Sequence, residues 1–178
     1  DALFTSGPFI NGPGQGAGGA DISYLHSGLT GYGANVNQAA GYRLADDFVV
    51  TDSWNVESFT FYGYQTGSTT TSTMTAAYLQ IWDGVPGEGG QVIYGDMVTN
   101  VMTSTQWTNS YRVSGTDLMN TQRPIMAVTA STPGLSLTAG TYWVDFALSG
   151  SLTSGPWGLP ITSTGETTTG NAKQYTGT

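Results

Sequence analysis

Turn-forming residues divide this chain into short segments, and that spacing limits what it can fold into. From about residue 45, runs rich in Val, Ile, Thr, Tyr, Phe and Trp alternate with Gly, Pro, Asn, Asp and Ser about every 8 to 12 residues. No segment keeps apolar residues at helical spacing over several turns. The pattern predicts about nine or ten short strands, and therefore an all-β fold, a single antiparallel β-sandwich or barrel.

The beginning of the chain differs from the remainder. The stretch SGPFINGPGQGAGGAD is rich in Gly and Pro and has no periodicity. Both residue types disfavour a helix and weaken a strand. We therefore expect an irregular, extended N-terminal arm over 1–40 and a β-sandwich domain over 41–178. Such an arm lies either on its own sandwich or on a neighbouring subunit, and its expected apolar anchors are Leu3, Phe4, Phe9 and Ile10.

Charge and composition exclude several classes of partner. Charged residues make up 9% of the chain, against about 25% in ordinary soluble domains. The net charge of −8 disfavours nucleic acid and anionic membranes. The apolar runs are only a few residues long, so no membrane span is expected. Low charge with abundant Thr, Gly and Tyr is associated with bacterial surfaces, which predicts a secreted, extracellular or cell-surface protein. The chain contains no Cys, so the core holds without disulfides.

The stretch IWDGVPGEGGQVIYGD, residues 81–96, contains three acidic residues around a run of Gly and Pro. Calcium binds about six to eight oxygens, several of them from carboxylates. The stretch lacks the alternating acids of an EF-hand loop. Its Asp-Gly, Pro-Gly and Gly-Gly pairs are typical of a turn between two strands. We interpret it as a hairpin loop, with a structural calcium ion held by Asp83 and either Asp46 or Asp47 as the alternative.

Aromatic residues provide a second kind of candidate site. In TYWVDFAL, Trp143 and Asp145 share the strand face opposite Tyr142, Val144 and Phe146. If the latter face is core, a stacking ring lies outside beside an acid, as in many carbohydrate binders. The alternative is a Trp covered by a loop or by the N-terminal arm. The candidate sugar-stacking residues are Trp143, Trp107, Trp157 and Trp82.

The sequence indicates no catalytic residues. His26 is the only His, and it lies in the irregular arm without a hydrolase or metalloprotease motif. Asp46 and Asp47 are adjacent, so in a strand they point to opposite faces and cannot form the carboxylate pair of a glycosidase. We therefore expect a protein that is not an enzyme.

Two longer stretches carry a family resemblance. ADDFVV with SFTFYGYQTGSTTTSTMTAAYLQIWDGVPG, and RPIMAVTASTPGLSLTAGTYWVDFALSGSLTSGPWGLPI, resemble a group of uncharacterised secreted bacterial β-sandwich modules, some with C-terminal sorting signals. The resemblance covers about residues 40–165. It implies a jelly-roll-like sandwich and export, and it transfers no catalytic residue. The chain departs from the pattern at TTTGNAKQYTGT, which contains no sorting signal.

Two functional hypotheses follow from these patterns. The first is a structural subunit that self-assembles as a homo-oligomer or polymer into a filament, sheath or surface layer, with the arm contacting a neighbour's sheet edge. The second is a non-catalytic module that binds a polysaccharide through its aromatic residues, with or without a structural calcium ion. Apolar residues in an irregular arm favour assembly, whereas aromatic residues on one exposed face favour the module.

Overall fold

Two β-sheets packed together make up the protein, which a computed structural model describes over residues 2–25, 31–159 and 170–177. The strands in these ranges are β1 (Asp21–Tyr24), β2 (Ala34–Asn35), β3 (Tyr42–Val50), β4 (Trp54–Tyr64), β5 (Met74–Trp82), β6 (Val92–Asp96), β7 (Met102–Val113), β8 (Pro124–Leu137), β9 (Gly140–Gly150), β10 (Trp157–Gly158) and β11 (Lys173–Thr176). Sheet A has the order β1-β7-β8-β4-β10-β2, and sheet B has the order β11-β3-β9-β5-β6. The predicted all-β, sandwich-like fold is confirmed.

The main core lies between the facing sides of the two sheets and follows the alternation of strand side chains. In β9, Val144 and Phe146 pack against the core. Trp143 and Asp145 therefore point to the outer face of sheet B, because successive side chains alternate. Across the core, the Phe61 ring of β4 stacks on the Phe146 ring with centroids 4.1 Å apart. The face of β9 that packs inward is therefore the one formed by Tyr142, Val144 and Phe146.

Sheet A is mixed, which corrects the expectation of a fully antiparallel sandwich. Strands β1 and β7 pair in parallel, with Ile22 opposite Tyr111, whereas the other ladders between the named strands are antiparallel. Ile22 is fully buried and forms a second small core with Ala20, Tyr111 and Val113. Strands β1 and β2 both belong to the segment expected as an extended arm. The second half of that segment is therefore built into sheet A.

The first part of the arm lies on its own chain. The Phe4 ring centroid is 5.9 Å from that of Phe48, and the Phe9 ring is 4.4 Å from that of Tyr62. Among the four expected anchors, Leu3 and Phe4 remain about half exposed, and Phe9 and Ile10 are partly buried. Within one molecule, two of the anchors thus contact the sandwich through their rings.

Two strands run through positions where turn residues predicted a break. Strand β7 runs without interruption from Met102 to Val113 and includes Asn109, and β8 continues through Pro133 and Gly134. The register shifts in both strands, and the local residues Asn109 and Gly134 have φ values of 56° and 77°. Bulges absorb the extra residues and keep the chain in the sheet.

The helical structure of the described segments is limited to two 3-10 turns of three residues each, Ala17–Gly19 and Gln38–Ala40. Neither is long enough to cross a membrane.

Candidate functional site

A concave cleft of about 250 Å³ opens beside β10 on the outer face of sheet A. The neighbouring Gly158 faces Leu44 and Phe146 in the core, so Trp157 points to the opposite, outer side. The cleft is lined by three aromatic rings, a guanidinium, a hydroxyl and Gly backbone, from Tyr32, Tyr64, Trp157, Arg123, Thr66, Gly31 and Gly33.

Strand pairing brings two of the rings side by side. In β10, Trp157 lies opposite Tyr64 of β4 on one side and opposite Asn35 of β2 on the other. Directly opposite residues have Cβ atoms about 4.5–5.5 Å apart. Gly33 lies so close to β10 that an added Cβ would be 2.6 Å from the Gly158 carbonyl oxygen, 3.1 Å from the Trp157 Cβ and 3.2 Å from the Tyr64 hydroxyl. A larger residue at this position would press on the wall of the cleft.

A buried amide fixes the loop that leads into Trp157. The Gln65 side chain donates to the carbonyls of Leu152 and Ser154 at 2.9 and 3.1 Å, and it accepts from the Leu152 N–H at 3.2 Å. The Trp157 indole N–H donates to the Ser154 hydroxyl at 3.1 Å. Because these bonds hold the loop and the ring together, the ring is already in place before any ligand arrives.

A buried guanidinium is hydrogen-bonded to the backbone of the cleft residue Tyr32. Arg112 is fully buried, and its guanidinium donates to the Tyr32 carbonyl at 2.8 Å and to the Ser23 hydroxyl at 3.0 Å. Burial lowers the pKa of Arg112 to about 10, against the opposing effect of Tyr64 and Tyr32. The group therefore stays charged at neutral pH.

The Tyr64 hydroxyl stays protonated although Arg112 and Arg123 are nearby. Burial raises the pKa of Tyr64 to about 12, against the lowering effect of Arg123 and Arg112. A neutral phenol can both donate and accept a hydrogen bond. Tyr64 therefore gives the floor of the cleft a polar group without adding negative charge.

Arg123 completes the wall of the cleft. Its guanidinium carbon lies 3.7 Å from the centroid of the Tyr32 ring, and its side chain is half-buried. A guanidinium stacked on a ring in this way keeps its N–H groups directed along its edge. The cleft thus combines the partly exposed Trp157 ring with a charged donor stacked on Tyr32 and with hydroxyl groups, whereas the Tyr64 ring itself is buried. This arrangement suits a small polar ligand that also has apolar faces.

The four predicted sugar-stacking residues lie in three separate places. Trp157 lines the cleft. Trp107 lies in β7, where its ring is 5.4 Å from that of Tyr111 and packs against the core. Trp82 and Trp143 are opposite each other on the outer face of sheet B. Trp143 is only 5% exposed, so it offers no open stacking surface, which corrects the interpretation of Trp143 as an exposed ring.

The acid beside Trp143 is part of a buried ion pair. The Arg43 Nε atom lies 2.8 Å from Asp145 Oδ2, and the Arg43 guanidinium also stacks 4.0 Å from the Tyr175 ring centroid. Burial raises the pKa of Asp145 to about 6, although Arg43 and the Trp82 indole both lower it. Asp145 is 2% exposed. This cluster joins β3, β9 and β11, and its carboxylate is buried, whereas the Tyr175 ring is exposed on its outer side.

The three acids of the alternative calcium site have separate partners. Asp83 Oδ1 accepts from the Gln91 N–H at 2.7 Å and so closes the loop between the paired strands β5 and β6, which confirms the hairpin. Asp46 is half-buried, and burial raises its pKa. Asp47, on the opposite face of β3, accepts from Asn171 at 2.7 Å. Within the described ranges, no three His, Cys, Asp or Glu side chains group as potential metal ligands.

A second cavity, of about 260 Å³, lies between β6 and β8. Apolar side chains such as Leu79 and Val101 form much of its lining. Its carboxylate, Asp96, accepts hydrogen bonds from the N–H groups of Thr99 and Val98, which lower the pKa of Asp96. Because the Asp96 carboxylate already accepts hydrogen bonds from its own chain, this cavity offers fewer free polar groups than the cleft beside β10.

Sequence analysis identified only one residue of the cleft, Trp157. Tyr32, Tyr64 and Arg123 were missed because they lie in distant segments that only the sheet topology brings together. The one available signal was that Arg123 is among only four basic residues in the chain. His26, considered above as a catalytic candidate, lies outside the described residues.

Comparisons of the chain with protein-family models, curated proteins and solved structures find no match.

Proposed function

We propose that this protein is a secreted, non-catalytic module that binds a carbohydrate in the cleft formed by Tyr32, Tyr64, Arg123 and Trp157. The observation that carries the proposal is one concave site in which a guanidinium and two partly exposed aromatic rings, those of Trp157 and Tyr32, meet above the buried Tyr64 ring. A pyranose ring presents C–H groups on its faces and hydroxyls around its edge. Aromatic faces complement the former, and the Tyr, Thr and Arg groups complement the latter.

The rigidity of the cleft supports binding over a structural role for these residues. The Gln65 hydrogen bonds and the β4–β10–β2 pairing fix the rings in advance. Ligand binding then costs little side-chain entropy, which otherwise opposes affinity by about 0.5–1.5 kcal/mol for each ordered side chain.

A binding measurement with one altered ring tests this proposal. Trp157→Ala is expected to weaken the association constant for a glycan found on an array by about tenfold or more, because a central aromatic contact is removed. Isothermal titration calorimetry gives the constants, and circular dichroism checks the fold. The matched control is Tyr175→Ala, which removes an exposed aromatic ring from sheet B. Equal affinity in the parent and the Trp157 variant would contradict the proposal.

Export and a jelly-roll-like connectivity belong to the same proposal and are supported by the family resemblance. A structural calcium ion at Asp83, Asp46 or Asp47 also stays a prediction. It is tested by comparing the thermal unfolding temperature with and without a chelator. Binding at the aromatic cleft does not require the ion.

Self-assembly is the second candidate function, and the open edge of sheet B favours it. Strand β6 is the last strand of that sheet, and its Val92 and Ile93 side chains are exposed. An exposed apolar edge strand can pair with another chain. The arm anchors Leu3 and Phe4 are also about half exposed, so the arm could be exchanged between copies as well.

Negative-stain electron microscopy distinguishes the two routes to assembly. If β6 is the contact, Ile93→Lys abolishes filaments or sheets of the full chain, because a charged side chain on an edge strand disfavours pairing with another chain. If the arm is the contact, removal of residues 1–10 abolishes them and Ile93→Lys does not. Dispersed particles of the unaltered chain over a wide concentration range would rule out assembly.

A further inference from the structure

The four basic residues of this chain differ in how their charge is balanced. Arg43 and Lys173 each form an ion pair with a carboxylate. Arg112 is buried and donates to oxygen atoms of its own chain. Arg123 lies at the cleft surface, where its guanidinium stacks on the Tyr32 ring. No ion pair or hydrogen bond joins that guanidinium to another residue in the described ranges.

An arginine without a carboxylate partner among the described residues, such as Arg123, is unusual in a chain with this charge balance. Acidic residues outnumber basic ones by 12 to 4, so a carboxylate partner could readily be supplied by the protein itself. Yet none of the described residues that line the cleft is acidic. The cleft therefore presents the Arg123 cation in a protein whose net charge is −8.

We propose that the ligand of the cleft is an acidic saccharide, whose sugar ring stacks on Trp157 and whose carboxylate or sulfate accepts hydrogen bonds from Arg123. The planar guanidinium matches either group with two parallel N–H donors. This inference rests on the proposed carbohydrate-binding function, since both concern the same cleft.

The experiment compares matched charged and neutral ligands. The probes are tetramers of galacturonic, glucuronic and mannuronic acid, each beside its methyl ester, together with sulfated and unsulfated galactan oligomers. Calorimetry measures their dissociation constants for the full chain and for Arg123→Gln, Arg123→Lys and Trp157→Ala. Lys173→Gln is the control, because it removes the same charge from a position on sheet B.

The inference predicts that an acidic oligomer binds more tightly than its neutral counterpart and more weakly as salt is added. Arg123→Gln is expected to weaken that binding by about 10- to 100-fold, whereas Arg123→Lys retains part of it. Lys173→Gln is expected to have no more than about a twofold effect. A preference for the uronic acids assigns the anionic group as carboxylate, and a preference for the sulfated oligomers assigns it as sulfate.

Two other outcomes overturn the inference in distinguishable ways. If charged and neutral oligomers bind equally, and Trp157→Ala weakens both while Arg123→Gln weakens neither, the cleft binds carbohydrate without recognising charge. If the unaltered protein binds none of the oligomers, charged or neutral, and no glycan on an array, then the inference and the proposed function both fail.

Discussion

At the scale of single residues, Asp145 shows how a position on the outer side of a strand can still be buried. Its strand alternation directs it away from the main core, but the carboxylate is 2% exposed. Its one ion-pair partner, Arg43, is also held by the Tyr175 ring from β11. Burial penalises the charged form more than Arg43 and Trp82 favour it, which raises the pKa of Asp145 to about 6.

The raised pKa of Asp145 predicts a stability that falls as pH rises. The value in an unfolded chain is 3.8, so the folded state binds the proton more tightly. The stabilisation is complete below about pH 4 and is lost as pH rises to about 6. Relative to D145N, the free energy of unfolding of the parent should fall by about 2–3 kcal/mol between pH 4 and pH 7.

Urea denaturation of the two proteins at pH 4 and pH 7 measures that difference. Glu57→Gln, at an exposed carboxylate on β4, controls for the loss of one negative charge. A constant difference between the parent and D145N at the two pH values would show that Asp145 ionises with an ordinary pKa.

The sequence predicted which residues of β9 share a face, but it did not predict which residues line the cleft. Alternation within TYWVDFAL places Trp143 and Asp145 opposite the core side chains, as the structure does. What covers those two residues depends on partners from other strands, which no local pattern contains. For the same reason Trp157 could be named, but its neighbours Tyr64 and Arg123 could not.

At the scale of elements, the N-terminal segment is held more closely than its composition indicates. Gly12 pairs with Ile22 through backbone hydrogen bonds in both directions, at 3.2 and 2.9 Å. The Ile22 side chain fills the space beside it, and a Cβ added to Gly12 would collide with that side chain. Gly in the stretch GPGQG therefore allows close packing of the segment against β1, in addition to making a helix unfavourable.

Adding one methyl group at Gly12 tests how tightly this segment packs on Ile22. Gly12→Ala is expected to lower the free energy of unfolding by about 1–3 kcal/mol, because the fully buried Ile22 has little room to move. Gly115→Ala is the matched control, since a Cβ there meets no atom within 4 Å. Chemical denaturation gives both values. Equal stability of the two variants would indicate that the segment is only loosely attached.

At the scale of the whole molecule, the all-β fold followed from the spacing of strands and turns, whereas the sheet topology did not. The parallel pairing of β1 with β7 joins segments nearly ninety residues apart, roughly half the chain. The strand propensity of a segment does not indicate which distant strand it pairs with. The treatment of residues 1–40 as a separate arm failed over its second half for this reason, because Ile22 finds its apolar partners on β7.

Binding of an acidic saccharide in the cleft is tested most sharply with the Trp side chains as reporters of where the ligand binds. The chain contains five Trp residues, so a nitrogen–proton correlation spectrum contains five indole signals. They report on the cleft (Trp157), on the outer face of sheet B (Trp82 and Trp143) and on the core (Trp54 and Trp107). The spectrum is recorded during titration with the acidic tetramer that binds most tightly.

If the ligand binds in the cleft, the Trp157 indole signal shifts progressively and saturates, while the signals of Trp82 and Trp143 stay in place. The same titration of Arg123→Gln should leave the Trp157 signal almost unmoved at equal ligand concentration. Shifts at Trp82 and Trp143 with an unchanged Trp157 signal would place binding on sheet B and contradict the account.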